Sequence, residues 1–294
     1  MKKKIIAILI ISILIIVVIA YGMNSNDKKQ DDGKTKILTS FYPIYIMTLN
    51  ITNGASNVEV SNMADKLTGC IHDYTLTTTD LKKFEDTDIF IQNGAGLESF
   101  SDKVVTSYQN VKIINAAENV SDFIYSDDGE SNSHIWLSIE NYKSEIQQIT
   151  KELSKLDNAN ASIYNINANQ YIENLNNLQG KFKQLNLSNK KAICLDESLE
   201  YLLKENGIDE TLIETDHDQA SISAELIKET IFKMNNEKID AIFIDKNDSD
   251  KLAKVLQNET KAKIYVLNSG MNGENDLDSY LNIMNENYEV LSNI

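Results

Sequence analysis

Three residues of this chain have the types and positions to do chemistry together. His72 lies in the loop Thr68-Gly-Cys-Ile-His72-Asp-Tyr-Thr75, His134 in Ser131-Asn-Ser-His134-Ile-Trp-Leu-Ser138, and Asp196 in Leu195-Asp196-Glu197. Asp196 follows the apolar run Lys191-Ala-Ile-Cys194 directly, and His72 comes after Val58–Val60. Two imidazoles and a carboxylate brought from separate segments make a donor set for a divalent transition metal. A lone histidine is more often structural or solvated, so the reading rests on the set. His217, flanked by Asp216 and Asp218, reads as a surface histidine.

Other patterns point nowhere further. Gly94-Ala95-Gly96 follows a strand-like run as a dinucleotide fingerprint would, but Ser99 stands at the third glycine position. Asp245-Lys-Asn247-Asp-Ser249 alternates oxygen donors, yet Asp250 replaces the glycine a calcium loop requires, and the segment reads as a helix cap. Gly-x-Ser-x-Gly is absent, so no nucleophile elbow is specified. Cys70 and Cys194 each lie two residues before a candidate donor; they could pair, bind metal or remain thiols.

The elements that must position these residues alternate in type. Strand-like runs at Lys36–Thr39, Val58–Val60, Ile89–Gln92 and Val111–Ile114 are separated by helical periodicity near Pro43–Asn53, Thr79–Phe84 and Leu97–Tyr108. A second set has strands at Lys191–Cys194, Ala241–Ile244 and Ile264–Leu267, with helices near Ser198–Glu205, Ser223–Met234, Ser249–Gln257 and Leu277–Leu291. Such alternation specifies α/β layers with mostly parallel strands. Between the sets, 139–187 has no strand signal, and apolar residues recur from Ile163 to Phe182 at helical spacing. A long rigid helix of roughly 30 residues, about 45 Å, is expected to join the lobes and to limit hinge opening. The expected organisation is an N-terminal lobe over 35–138, a helical bridge over 139–187 and a C-terminal lobe over 188–294. Open α/β lobes bind ligands at the carboxyl ends of their strands, which places the site in the interlobe cleft.

The beginning of the chain reads as an address. Lys2-Lys3-Lys4 precedes an uncharged apolar run from Ile5 to Met23, a signal peptide or uncleaved signal anchor over 1–23, followed by a polar tether over 24–34. Val18-Ile19-Ala20 resembles a lipoprotein box, but Tyr21 occupies the place of the acylated cysteine. An exported protein, secreted or held at the outer face of the cytoplasmic membrane, is expected. Past the leader the chain has 25 Lys against 44 Asp and Glu, a net charge of −19. An acidic body suits a cationic cargo. With no Arg anywhere in the 294 residues, nucleic-acid recognition is disfavoured.

Several motifs in order carry a resemblance that extends from about Lys36 to the C-terminus. Thr39-Ser-Phe-Tyr-Pro-Ile-Tyr45, Gly69-Cys-Ile-His-Asp-Tyr74, Asn93-Gly-Ala-Gly-Leu-Glu98, His134-Ile-Trp-Leu-Ser138 and Glu200-Tyr-Leu-Leu-Lys-Glu-Asn-Gly207 are similar to those of the zinc/manganese solute-binding proteins of bacterial ABC importers. The resemblance implies two Rossmann-like α/β lobes joined by one long helix, with a metal site in the interlobe cleft. It assigns His72 and His134 as ligands, and puts Asp196 where the family uses His or Glu. Asn268, in Val266-Leu-Asn268-Ser-Gly270, stands where the family's fourth ligand, an Asp, is expected. An amide brings no charge, so Glu197 or Asp245 would have to compensate, with Cys70 a further candidate.

The expected cargo is Zn²⁺, with Mn²⁺ or Fe²⁺ next, and the expected partner is a membrane ABC permease served by a monomeric receptor that catalyses nothing. Neutral imidazoles are needed, so affinity is expected to fall below about pH 6. Two rivals remain: an adhesin-like interaction protein of the same fold with a weakened site, and a zinc hydrolase using Glu197 as general base.

Overall fold

The computed structural model describes residues 33–64, 74–126, 129–213 and 223–294. Met1–Lys34 and Thr35–Ile294 form two units, and the α/β fold resides wholly in the second. The predicted leader and most of the tether lie outside the described residues, among which no helix is long and apolar enough to cross a membrane.

The first lobe runs β1 (Thr35–Thr39), α1 (Tyr42–Thr52), β2 (Val58–Asn62), α2 (Thr78–Glu85), β3 (Ile89–Gln92), α3 (Ser101–Ser107) and β4 (Lys112–Asn115). Its strands pair in parallel in the order β2-β1-β3-β4. Ile37, Leu38, Phe90 and Ile91 are all buried, as parallel strands covered on both faces require. Pro43 opens α1 where its missing N–H has no partner to lose. Thr77 and Asp80 close a reciprocal capping box on α2. The helix expected over Leu97–Tyr108 is shorter at its start. Glu98 turns its carboxylate back onto the Asn93 and Gly94 N–H groups, so the chain makes tight turns from Gly94 to Ser101 before α3 begins.

Two helices, rather than one of 30 residues, fill the bridge: α4 (Ile139–Leu156) and α5 (Ala161–Phe182), the latter 22 residues and about 33 Å long. Short polar side chains break the run between them. Asp157 accepts hydrogen bonds from Asn160 Nδ2 and the Tyr164 hydroxyl, each at 2.7 Å, and so offers the chain an alternative to helix. The two helices pack antiparallel, with Lys143 Nζ reaching Asn176 Oδ1 and Gln179 Oε1 on α5.

The second lobe contains β5 (Lys191–Cys194), α6 (Glu200–Glu205), β6 (Asp209–Leu212), α7 (Ala224–Glu237), β7 (Ala241–Asp245), α8 (Lys251–Thr260), β8 (Lys263–Leu267) and α9 (Ser279–Leu291). Its sheet repeats the first in the parallel order β6-β5-β7-β8. The sequence reading did not include β6, an edge strand whose Asp209-Glu-Thr-Leu carries polar residues in place of an apolar run.

The lobes share one core. Tyr142 of α4 stacks on Tyr280 of α9 with ring centroids 3.7 Å apart and planes inclined by 5°. From the first lobe, the Tyr42 hydroxyl donates to Glu274 O at 2.6 Å and Asn50 Nδ2 to Leu277 O at 2.9 Å, which ties α1 to the segment entering α9. Truncating this contact tests its weight. Tyr142→Ala should lower stability by about 3–5 kcal/mol, whereas Tyr142→Phe, which keeps the stack, should lose under about 1.5 kcal/mol; urea unfolding midpoints would measure both.

Candidate metal centre

Strand register decides which side chains meet. Cys194 pairs with Phe243 and Asp245 with Leu267, so residues just past β5, β7 and β8 emerge side by side at one edge of the second sheet. Asp196, Asp245 and Asp248 converge there, each with an oxygen within 4.8 Å of the others. Asp245 is buried and well supplied with donors. Its Oδ1 accepts from the N–H and Nδ2 of Asn247, both at 2.8 Å, and its Oδ2 from the Ser269 N–H at 2.6 Å. Asp196 Oδ1 accepts the Ser198 N–H at 2.7 Å, capping a turn of 3-10 helix. Asp248 has the unfavourable place: burial first, then the charge and shared hydrogen bond of Asp196, then the charge of Asp245 push its carboxyl up to about 8.

His134, in the segment that leads into the bridge, is not part of that cluster among the described residues. Its Nδ1 lies 2.9 Å from Asn132 Oδ1, which also accepts the His134 backbone N–H at 2.9 Å. The orientation of the Asn132 amide is set independently, because its Nδ2 donates to Glu197 O at 2.8 Å and Glu200 Oε2 at 2.9 Å. An oxygen acceptor facing Nδ1 makes Nδ1 the protonated nitrogen and puts the lone pair on Nε2, the form in which a neutral imidazole takes a metal. The same amide joins the His134 loop to the residue after Asp196. Glu197 itself sits on the Nδ1 side, 4.0 Å away and half exposed, among neither the convergent acids nor their donors.

Asn268 shapes the loop after β8. Its Oδ1 accepts the Gly270 N–H at 3.0 Å, its Nδ2 reaches Glu286 at 3.4 Å, and its backbone N–H and C=O both bond the Asn287 side chain. Cys194 is buried, and its thiol donates to Asp196 O at 3.1 Å; burial pushes that thiol well above its ordinary range. Period two along β5 does not bring its sulfur among the acids. His72, Cys70 and His217 lie outside the described residues.

The Gly94-Ala95-Gly96 turn has positive φ at all three residues, and the Glu98 carboxylate occupies the N–H groups of Asn93 and Gly94. An internal acid thus takes the donors that a phosphate would need. Asp250 holds the N-cap position of α8 without a side-chain capping bond, and the N–H of Lys251, the first helical residue, is accepted instead by Ser249 Oγ at 3.4 Å, so the end of the Asp245–Ser249 segment does cap the helix. Asp248 was not among the residues singled out from sequence. Its signal was available as an acid three residues beyond Asp245, on the loop leaving a strand.

A model of the family described as ZnuA, zinc-uptake complex component A, periplasmic, matches residues 37–294. The chain belongs to that family. The high-affinity zinc uptake system protein ZnuA of Bacillus subtilis strain 168 is 27% identical over 317 residues, covering 99% of this chain and 98% of its own. The iron-binding protein YfeA of Yersinia pestis is 25% identical over 283 residues, 92% of this chain and 89% of its own. Among solved structures, a Mn-bound periplasmic metal-binding protein from Candidatus Liberibacter asiaticus superposes with a TM-score of 0.75 at 27% identity, covering 88% of this chain and 99% of that one. The FpvC solute-binding protein of Pseudomonas aeruginosa, in complex with Mn²⁺, reaches 0.77 at 23% identity over 88% and 97% of the two chains, a likeness of fold. The family consists of extracytoplasmic, metal-binding solute-binding components of ABC-type import, not of enzymes.

The acid cluster makes a stability prediction with a definite sign. The folded state holds the Asp248 proton more tightly than the unfolded chain does, so its penalty is absent below about pH 4, grows as pH rises and is complete above about 8. Without metal, Asp248→Asn should therefore leave stability at pH 4 unchanged and raise it at pH 8 by roughly 1 kcal/mol, a value discounted for solvent screening at this half-open position. Thermal unfolding at the two pH values would check it.

Proposed function

We propose that the protein captures Zn²⁺, or Mn²⁺, outside the cell and hands it to an ABC permease. Lys2–Lys4 and the apolar run from Ile5 to Met23 would bring it to the outer face of the cytoplasmic membrane or release it there. The ion is taken by Nε2 of His134, by His72, and by the carboxylates of Asp196 and Asp248. Asp245 holds Ser269 and Asn247 in place beside them, and Asn268 maintains the turn at Gly270.

The observation that carries this reading is the Asn132 amide. It fixes the His134 tautomer and, through Glu197 O and Glu200, holds that histidine against the lobe that presents the three acids. Imidazole nitrogen suits Zn²⁺, and the carboxylate oxygens extend the site toward Mn²⁺ and Fe²⁺. Asp248 restores the charge that Asn268 lacks. Its proton, and any on the imidazoles, must leave as the metal enters, so acid weakens binding.

Metal content by mass spectrometry tests the proposal. The portion from Lys28 onward, incubated with equal Zn²⁺ and Mn²⁺ and desalted, should keep one equivalent, and the paired change His72→Ala with His134→Ala should abolish it. Equal retention in that control would sink the reading. Asn132→Ala, which leaves every proposed donor in place, should weaken binding about 10- to 100-fold. Trp136, the only tryptophan, has its ring centroid 5.2 Å from that of His134, and its fluorescence would follow the titration.

A further inference from the structure

An acid with no part in the scheme above lies inside the bridge. Glu145, in the middle of α4, is wholly buried, and neither of its carboxyl oxygens has a hydrogen-bond partner. The charge that acts on it is that of Glu98, also buried, in the turn after β3. Around Glu145 the neighbouring groups are phenols: Tyr142 on its own helix and Tyr280 on α9 both feel its charge, with Tyr171 of α5 beside them. Lys143 is engaged with Glu140, Asn176 and Gln179. Helix α1 carries no charged residue, and Glu118, in the turn after β4, is held by Gln148. Among the described residues, no cation is therefore placed to neutralise the pair.

The two acids are not equivalent. Burial raises the Glu98 carboxyl too, but Glu98 accepts the Asn93 N–H at 2.7 Å and the Gly94 N–H at 3.0 Å, donors that oppose that rise and suit an anion. Glu145 has no donor at all, and an unsupported charge in a dry interior costs far more than an unbonded neutral acid. Burial, and then the Glu98 charge, hold the Glu145 carboxyl well above its ordinary range.

The turn that Glu98 grips leads straight to the metal centre. Ala95 O accepts the Ser133 hydroxyl at 2.8 Å, Asn93 Nδ2 donates to Ser133 O at 3.1 Å, and His134 is the next residue. We propose that Glu145 and Glu98 form a one-proton pair, Glu145 neutral and Glu98 anionic, and that this proton keeps the turn, and through it His134, in position for metal. Deprotonation of Glu145 would set two like charges against each other, and the pair would relax by loosening the grip of Glu98 on Asn93 and Gly94. The proton on Glu145 rests on its complete burial and its lack of any donor, and the pairing on the charge of Glu98 that acts on it, whereas the effect on metal rests on the ligand role proposed for His134.

Infrared spectroscopy and metal titration test the two parts separately. The metal-free protein at pH 7 should show a protonated-carboxyl C=O band, retained in Asp248→Asn and lost in Glu145→Gln, the neutral mimic. Zn²⁺ affinity of wild type and Glu145→Gln should agree at pH 7 and diverge as pH rises, the wild type becoming about 5- to 10-fold weaker than the variant. Glu145→Leu, which removes the acid without an amide, should follow Glu145→Gln. The absence of the band would overturn the pair, as would a tightly held second metal ion that survives stripping of the cleft and disappears in Glu145→Gln. Affinities that run parallel at every pH would overturn the coupling while leaving the pair intact. Loss of Zn²⁺ binding from neither His72→Ala nor His134→Ala would instead count against the metal reading.

Discussion

The six residues from Asn132 to Leu137 are hydrogen-bonded into both lobes, and the placement of His134 depends on that double attachment. On one side Ser133 is fastened to Asn93 and Ala95 at the end of the first sheet. On the other, Asn132 O accepts the Tyr201 hydroxyl at 2.8 Å, Trp136 Nε1 donates to Ser269 O at 2.8 Å, and Trp136 O accepts the Tyr280 hydroxyl at 2.7 Å. Backbone carbonyls that would otherwise be buried without partners are satisfied across the lobe boundary. The segment is too short to choose its own conformation, and its 3-10 turn is set by these bonds.

Charge organises the facing side. Three carboxylates from one end of the sheet are brought closer than like charges favour, and Asp245 is met there by backbone and amide N–H groups. Asp248 has no such support and takes up a proton instead. A cation removes the conflict, so the arrangement that weakens the empty protein is the one that strengthens the loaded one. Stability and affinity are thereby set against each other in the same side chains.

Much of this was legible in the sequence, for physical reasons that also explain what was not. Parallel strands covered on both faces are written as apolar runs, so seven of the eight strands among the described residues could be read, and β6 escaped because an edge strand can be polar. Pro43 announced its helix. The break between α4 and α5 was hidden because Asp157 and Asn160 act through side-chain bonds that leave the apolar spacing on either side intact. Among the residues of the proposed site, His134 and Asp196 stand out by type and context. The roles of Asn132, Asn268 and Asp248 depend on which way an amide points and on register between strands, and neither property is local. Nothing in the sequence around Glu145 marks it out, and only its enclosure distinguishes it.

Cys194 gives the centre a chemical boundary. Its sulfur is turned into the core one residue before Leu195 and bonded to the Asp196 carbonyl, a neutral thiol rather than a thiolate. Strand β5 therefore delivers a hard oxygen to the cleft and withholds the soft sulfur that stands beside it in sequence. Monovalent copper, which seeks thiolate, finds no purchase from this strand, and oxidants outside the cell meet a carboxylate where they would otherwise attack a cysteine.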